Sequence, residues 1–462
     1  MKEFNLIEAT DSYKVTHFRQ YPPQTQRVYS FYESRGGEFP EVVFFGLQYI
    51  AKRYLAGPVV SAEDIEEMRE EFALHFGNTS LFNQAGWERI VNVHGGCLPV
   101  EIRAIPEGTP VPTHNVMMTV VNTDLELPWL TNYLETLLCQ VWYPCTVATQ
   151  SREMKRIILR YLTETGDPAG INFKLHDFGF RGSTTVESAG IGGCAHLVNF
   201  QGTDTMQALR VARKYYCERM AGFSIPAAEH STITSWGREN EVAAYANMLR
   251  AFPSGLVAVV SDSYNIYEAC SRLWGEQLRS EVLSRDGTLV VRPDSGNPTL
   301  VVPHVLEALG EAFGYEVNGK GFKVLNPKVR VIQGDGIDFS MLGSILETMK
   351  AAGWSADNIA FGSGGGLLQK MNRDTCKFAF KCSAVQIDGG WQDVMKDPVT
   401  DPGKRSKAGR LALVCDKDNA YATMRQEDAS VQGYEDLLIP VFRNGEVLID
   451  QTLADIRERA AI

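Results

Sequence analysis

LVAVVSDS, residues 256–263, is an unbroken apolar run that ends on Asp262 and leads into a helical stretch. No polar residue interrupts Leu256 to Val260, so the run reads as a strand buried on both faces, as in a parallel sheet covered by helices. The same unit recurs on either side, as KLHDFGFRG at Asp177, LVNFQGTD at Asp204, FSIPAAEH at His230, LVVRPDSG at Asp294, RVIQGDG at Asp335 and NIAFGSGGG at Gly364. The gaps between these seven positions are 27, 26, 32, 32, 41 and 29 residues, close to the roughly 30 per unit of a barrel of about 250 residues divided into eight strand–helix units. The repeat predicts an atypical (β/α) barrel over residues 166–374. An open doubly wound sheet has the same periodicity, because spacing does not report closure.

The flanks read differently. RVYSFYES, residues 27–34, alternates in strand fashion. Ser61 reads as a helix N-cap with Asp64 three residues on, Ile65, Met68, Phe72 and Phe76 along one stripe, and Gly77 as the stop. In VFRNGEVLI the pair Asn444 and Gly445 supplies the two positive φ values of a type I′ hairpin. Residues 1–165 plus 375–462 are therefore expected to form a second, discontinuous α+β sheet domain built from both termini. The fold class is α/β.

Composition narrows the function. Of 462 residues, 44% are hydrophobic and 22% charged, which is the balance of a folded globular chain. Lys plus Arg number 45 against 56 Asp plus Glu, a formal charge of -11, so broad attraction to nucleic acid or anionic lipid is disfavoured and any anion site must be a local cluster. The nine cysteines contain no CxxC pair and the start, MKEFNLIEATDSYK, has no apolar leader segment. Both fit a cytoplasmic chain with reduced thiols and no membrane partner. No HExxH or paired Cys/His spacing marks a zinc site, and no GxSxG frames Ser224, Ser231 or Ser263. Gly190, Gly192 and Ala195 in GIGGCA match a dinucleotide fingerprint, but the preceding TTVESA reads as helix, so no Rossmann site is expected there.

In a barrel the polar residues at strand ends converge on one face. Gly334, Asp335 and Gly336, then Gly362 and Gly364 to Gly366, offer backbone N–H groups to a phosphate, although a glycine turn also serves a tight connection. Asp262, Asp294 and Asp335 suit hydrated Mg²⁺ or ribose hydroxyls, and each equally suits a turn or a cap. Basic partners for phosphate are Arg181, Arg292, Arg373, Lys381 and Lys396, with Lys404, Arg405, Lys407 and Arg410 in a loop that also reads as a solvated basic run. His230 follows Glu229 at an expected strand end, where an imidazole serves as acid, base or phosphoryl acceptor, or packs structurally. No Lys stands at such an end, which argues against a Schiff-base aldolase.

The segments ATDSYKVTHFRQYPP, KLHDFGFRG, NFQGTDT, SIPAAEHSTIT, VVSDSY, RPDSGNP, RVIQGDG, FGSGGGLLQK and KDPVTDPGKRSKAGRL, in that order from Ala9 to Leu411, closely resemble the nicotinamide phosphoribosyltransferases. The resemblance implies a type II phosphoribosyltransferase fold and a homodimer with active sites at the subunit interface. It implies transfer of phosphoribosyl from 5-phosphoribosyl 1-pyrophosphate to nicotinamide in NAD salvage, with Mg²⁺ as cofactor and ATP as coupled co-substrate. Phe178 and Tyr13 then match the two aromatic walls of a pyridine slot, Tyr13 coming from the other subunit, and Asp204 matches the acceptor for the carboxamide. Arg292, Asp294, Asp262 and Asp335 match the ribose and Mg²⁺-pyrophosphate region, and Gly364 and Gly365 the 5′-phosphate cradle. Arg35, Arg373, Lys381, Lys396 and Lys404 resemble phosphate-reaching positions, and His230 the histidine phosphorylated by ATP. Ala258 and Ala379 stand where vertebrate members carry serines, and Phe180 where they carry tyrosine. The alternatives are the sister activity on nicotinate and a noncatalytic binding protein of the same fold.

Overall fold

The run at 256–263 forms the strand Ser254–Val260, at one edge of a six-stranded parallel sheet. From the other edge the order is Gly202–Thr203, Leu175–Asp177, Ile359–Ser363, Val329–Gln333, Asp286–Arg292 and Ser254–Val260. The computed structural model describes residues 4–400, 405–418 and 420–462. Residues 223–228 join the two edges through parallel bridges, Phe223 to Gly202 and Ala227 to Ala258. The Phe223 N–H donates to the Gln201 carbonyl (2.7 Å) and the Ala258 N–H to that of Pro226 (2.9 Å). Seven segments thus close a ring, and they are the seven units of the repeat. The segment with Pro226 closes it by bridges, because a proline has no N–H to give a ladder.

Contacts divide the chain into two compact units, one of Met1–Thr149, Lys214–Cys217 and Met371–Ala461, the other of Gln150–Arg213, Glu218–Lys370 and the terminal Ile462. The second unit holds the barrel. Its inner layer is small: Ala258, Val290 and Ile332, with Phe178, Ile225 and Ala360 packed against them. Toward the N-terminal ends of the strands this leaves a cavity of about 480 Å³, lined by Lys174, His176, Leu256 and Arg330 among others.

The first unit is built around a seven-stranded antiparallel sheet in the order Gly390–Asp393, Phe378–Ile387, Thr25–Ser34, Val116–Asn122, Val100–Ala104, Ile439–Arg443 and Glu446–Val447. Three N-terminal strands form its centre, with a pair of C-terminal strands at each edge. The hairpin closes at Asn444 and Gly445, with φ of 50° and 86°, and Ser61 caps the helix Ala62–Phe76 in a reciprocal box with Asp64. Thr25–Ser34 departs from the expected alternation, since every residue from Val28 to Ser34 is buried. Most of its polar side chains survive burial because they have partners; the Tyr32 hydroxyl has none among the described residues, and its ring stacks on Phe378. The Tyr29 hydroxyl donates to the Leu411 carbonyl (3.0 Å), Ser30 to Asn132 (2.7 Å) and Ser34 to the Cys376 carbonyl (2.6 Å), while Glu33 pairs with Lys407. Among the described residues no helix is long and apolar enough to cross a membrane.

Candidate active site

Phe178 follows the strand Leu175–Asp177, and its N–H donates to the Ser363 carbonyl across the sheet at 2.9 Å. Its ring lies over the C-terminal ends of two neighbouring strands. A Cβ at Gly362 would overlap the ring, and one at Gly334 would come within 3.4 Å of it and 3.2 Å of the Asp294 carboxylate. Glycine at 362 is thus a packing requirement for this ring, and a side chain at 334 would crowd it. The Gly179 N–H donates to Asp177 Oδ1 (2.7 Å), fixing the turn that carries Phe178. Asp204 ends the next strand. Its N–H donates to the Asp177 carbonyl (3.0 Å), its carboxylate takes the Ser224 hydroxyl, and the residue is exposed.

His230 opens the short helix His230–Thr234 and Asp262 follows Ser254–Val260. The imidazole Nε2 lies 3.0 Å from Asp262 Oδ1, with 46% of the histidine side chain exposed against 3% of the aspartate. Asp262 Oδ2 accepts from the Asp294 N–H (3.0 Å) and from Ser295. One buried carboxylate therefore holds both the histidine and the loop after Asp286–Arg292. Arg292 leans on Asp294 at 3.4 Å, and its buried Nε has no partner. Such an orphaned guanidinium N–H is the group a substrate oxyanion would satisfy.

The two glycine loops pack on each other. Ser363 donates to the Ile337 carbonyl (2.7 Å), a Cβ on Gly366 would overlap that same carbonyl, and the short helix Gly365–Leu368 starts from Gly364. Its opening N–H groups have no acceptor within the helix. Gln333 holds the Asp335 carbonyl (2.9 Å), leaving the Asp335 residue exposed, and Arg181 is exposed in the turn Phe180–Gly182. Phe178, Arg181, Asp204, His230, Asp262, Arg292, Asp294, Gly334, Asp335, Gly364 and Gly365 all belong to the barrel unit.

Tyr13, Arg35, Arg373, Lys381 and Lys396 belong to the first unit. Tyr13 is 60% exposed, with Lys14 Nζ 5.4 Å from its ring centroid. Arg35 continues the strand Thr25–Ser34 and has a buried Nε without a partner. Lys381 pairs in register with Phe31 on that strand, and Arg373 precedes Phe378–Ile387 with only a loose contact to Asp374 (3.8 Å). The Lys396 N–H donates to Ser406 (2.9 Å). Lys404 lies outside the described residues.

Sequence reading missed Asp177, Ser224 and Ser295 as parts of the site. Asp177 was visible as a strand end, but its role is carried by backbone geometry. It is fully buried, and burial pushes its carboxyl up to about 6. The Gly179 N–H and the Thr205 and Thr203 hydroxyls work against that rise, while the Asp204 charge adds to it. Among the described residues no group of three or more His, Cys, Asp or Glu is arranged to hold a metal.

Comparison with known proteins places this arrangement. The model of the nicotinate phosphoribosyltransferase (NAPRTase) family matches residues 173–432, and that of the nicotinamide phosphoribosyltransferase N-terminal domain matches residues 5–102. A nicotinamide phosphoribosyltransferase of Xanthomonas campestris pv. campestris is 54% identical, over 99% of this chain and 98% of that one. One from Acinetobacter baylyi is 32% identical over 99% and 97%. The fold is shared with nicotinate-nucleotide pyrophosphorylase from Pyrococcus furiosus (TM-score 0.62, 16% identity, 100% of this chain and 97% of that one). It is shared too with human nicotinic acid phosphoribosyltransferase (TM-score 0.59, 17% identity, 98% and 92%). With a family model spanning more than half its length and relatives aligned almost end to end, the chain belongs to the nicotinate phosphoribosyltransferase family, a family of pentosyltransferases.

Proposed function

We propose that the chain transfers phosphoribosyl from 5-phosphoribosyl 1-pyrophosphate to nicotinamide, giving nicotinamide mononucleotide and pyrophosphate in NAD salvage. The observation that carries this reading is the placement of a carboxylate, Asp204, at the strand end beside the Phe178 wall, its N–H bonded to the residue before that phenylalanine. Phe178 offers a flat apolar face for a pyridine ring, and Asp204 an acceptor for a carboxamide NH₂. A hydrogen bond to a charged group contributes roughly 1.5–3 kcal/mol, about tenfold to more than a hundredfold in affinity. Nicotinate would set its carboxylate against Asp204, so like-charge repulsion opposes the activity for which the family is named.

In the reaction the pyridine nitrogen attacks the anomeric carbon of the ribose as the bond to pyrophosphate breaks, and the pyrophosphate leaves with the electron pair. Positive charge builds on the ribose ring. Asp294 and Asp335, at adjacent strand ends, are suited to hold the ribose hydroxyls and oppose that charge, while Arg292 Nε and the N–H groups from Gly364 and Gly365 are suited to phosphate oxygens. Mg²⁺, when bound with the pyrophosphate, would neutralise its developing charge. Asp262 already uses both oxygens on protein donors, so a hydrated ion carried by the phosphates and facing Asp294 fits this site better than a protein-built cage.

His230 is suited to couple ATP. The Asp262 carboxylate can only accept, so the imidazole proton sits on Nε2 and the Nδ1 lone pair is free to attack the γ-phosphorus of ATP. ADP leaves, and water later cleaves the nitrogen–phosphorus bond. Tyr13 completes the ring slot from a second subunit of a homodimer, with Arg35, Arg373, Lys381, Lys396 and Lys404 directed to phosphates. Product formation with each base, with and without ATP, tests the reading: selective, ATP-stimulated nicotinamide mononucleotide synthesis is expected. Preference for nicotinate would move the chain to the sister activity, and no product from either base would favour a binding protein. Mixing inactive Tyr13→Ala and Phe178→Ala proteins tests the composite site, since hybrid dimers would recover activity.

A further inference from the structure

We propose that Asp177 is the positioning and specificity-determining residue of the pyridine slot, holding the Phe178 wall and the Asp204 acceptor in register and placing a second negative charge behind Asp204. The inference rests on the reading that nicotinamide is the base. Two parts of the slot meet at this residue. Asp177 Oδ1 accepts from the Gly179 N–H at 2.7 Å, which fixes the turn after Phe178, and its carbonyl accepts from the Asp204 N–H at 3.0 Å. Movement of either side of the slot would be transmitted to the other through it.

The second carboxylate oxygen is the unusual feature. Asp177 is 0% exposed, and among the described residues no hydrogen bond of normal geometry reaches Oδ2; the Thr205 and Thr203 hydroxyls beside it offset only part of the effect of burial. One glycine of GIGGCA, Gly193, makes room for Oδ2; the motif is unexplained as a nucleotide fingerprint. It lies in the helix Val186–His196, and a Cβ on Gly193 would come within 2.9 Å of Oδ2 and 2.8 Å of the Ala208 Cβ. A buried carboxylate that its neighbours compensate only in part destabilises the fold, so its presence points away from a purely structural role. The groups around it are Thr203, Thr205 and Asp204 from the adjoining strand end, Gly193 from the helix, and Gly179 from its own turn. Asp204 is the only other charge whose influence on it is resolved. Held in a low-dielectric setting, the Asp177 charge is screened little by salt and adds to the repulsion of an anionic base.

The decisive experiment measures binding and kcat/KM for nicotinamide and nicotinate between pH 5.5 and 8 in the wild type, Asp177→Asn and Asp177→Ala. Asn retains an oxygen for Gly179 and can donate to Thr205, so Asp177→Asn is expected to fold, and the readout is the ratio of the two bases. Its preference for nicotinamide over nicotinate should fall by roughly three- to tenfold. The wild-type preference should weaken as pH drops through about 6, while that of Asp177→Asn stays flat. Phosphate ionisations of the common substrate cancel in the ratio. Asp177→Ala, lacking the Gly179 acceptor, should weaken nicotinamide about tenfold with the KM for 5-phosphoribosyl 1-pyrophosphate nearly unchanged. Identical selectivity and pH dependence in wild type and Asp177→Asn would overturn the proposal. So would equal losses for both substrates in Asp177→Ala. The wild-type ratio alone tests the identity of the base, and the difference between variant and wild type tests Asp177.

Discussion

Two carboxyls, one in each unit, show how the same side chain is set to opposite ends. Asp124 in the first unit takes Arg89 through two nitrogens (2.7 and 3.2 Å), His94 at 2.7 Å and the Glu126 N–H at 3.0 Å. Burial raises its carboxyl, but the Arg89 and His94 hydrogen bonds outweigh that and hold it at about 2. Asp177 in the barrel has one hydrogen bond of normal geometry, weaker help from the Thr205 and Thr203 hydroxyls, burial that these do not offset in full, and a value of about 6. The saturated carboxylate ties a helix end to a loop, whereas the unsaturated one stands beside the site. Satisfaction of hydrogen bonds, more than burial alone, separates a carboxyl that holds the fold from one available for function.

That contrast can be broken by experiment, starting with the largest expected effect. Asp262 is saturated like Asp124 but by groups of the site, so Asp262→Ala should lower kcat/KM by roughly a hundredfold and abolish ATP stimulation in steady-state assays. His230→Ala should retain ATP-independent synthesis and lose the ATP-driven gain; full stimulation in that variant would exclude the phosphohistidine. Asp204→Asn should reduce the preference for nicotinamide over nicotinate by about tenfold in competition kinetics. Asp124→Asn should leave substrate KM values alone and cost about 2 kcal/mol of stability at neutral pH, read as a drop of a few degrees in Tm.

The smallest effect is a difference of pH dependence. The folded value of Asp124 lies below the ordinary carboxyl range, so its stabilisation is complete above about pH 4 and lost as pH falls towards 2. Asp177 has the opposite sign. Its contribution is favourable below about pH 4 and is lost as pH rises through about 6. Chemical denaturation of wild type and Asp177→Asn should therefore coincide near pH 4 and diverge above pH 6, with the variant the more stable.

The barrel was legible because each of its strands carries its own signal, an apolar run ending in a polar residue, and because such ends must converge. Residues 223–228 were found by the same spacing although Pro226 keeps them from forming a regular strand. The antiparallel unit was harder to read. Local chemistry announced the Asn444–Gly445 hairpin and the Ser61 cap, but no local pattern tells that Thr25–Ser34 pairs with Phe378–Ile387. The buried Tyr29, Ser30, Glu33 and Ser34 look like an exposed face until their partners are known. Within the site, Asp204, His230 and Asp262 were readable as strand-end residues and Phe178 came with the resemblance, whereas Asp177 was read as a strand end without its part, which is played by one oxygen and one carbonyl. Tyr13 and Arg35 came only from resemblance, and Arg373, Lys381 and Lys396 were named as basic residues without a place, because scattered cations have no spacing to betray them.

The pairing of Thr25–Ser34 with Phe378–Ile387 also sets an order of events during synthesis. Apart from Lys214–Cys217, which belong to the first unit, the barrel is encoded between the two halves of the sheet and has its strand partners as soon as Ile359–Ser363 is made. The N-terminal strand, by contrast, must wait for more than three hundred further residues before its second neighbour leaves the ribosome, and Val100–Ala104 waits about as long for Ile439–Arg443. Until then a ten-residue β segment, buried on both faces in the finished molecule, has an unpaired edge. Limited proteolysis of stalled nascent chains would find the barrel protected first, with the earliest-made part of the protein the last to become resistant.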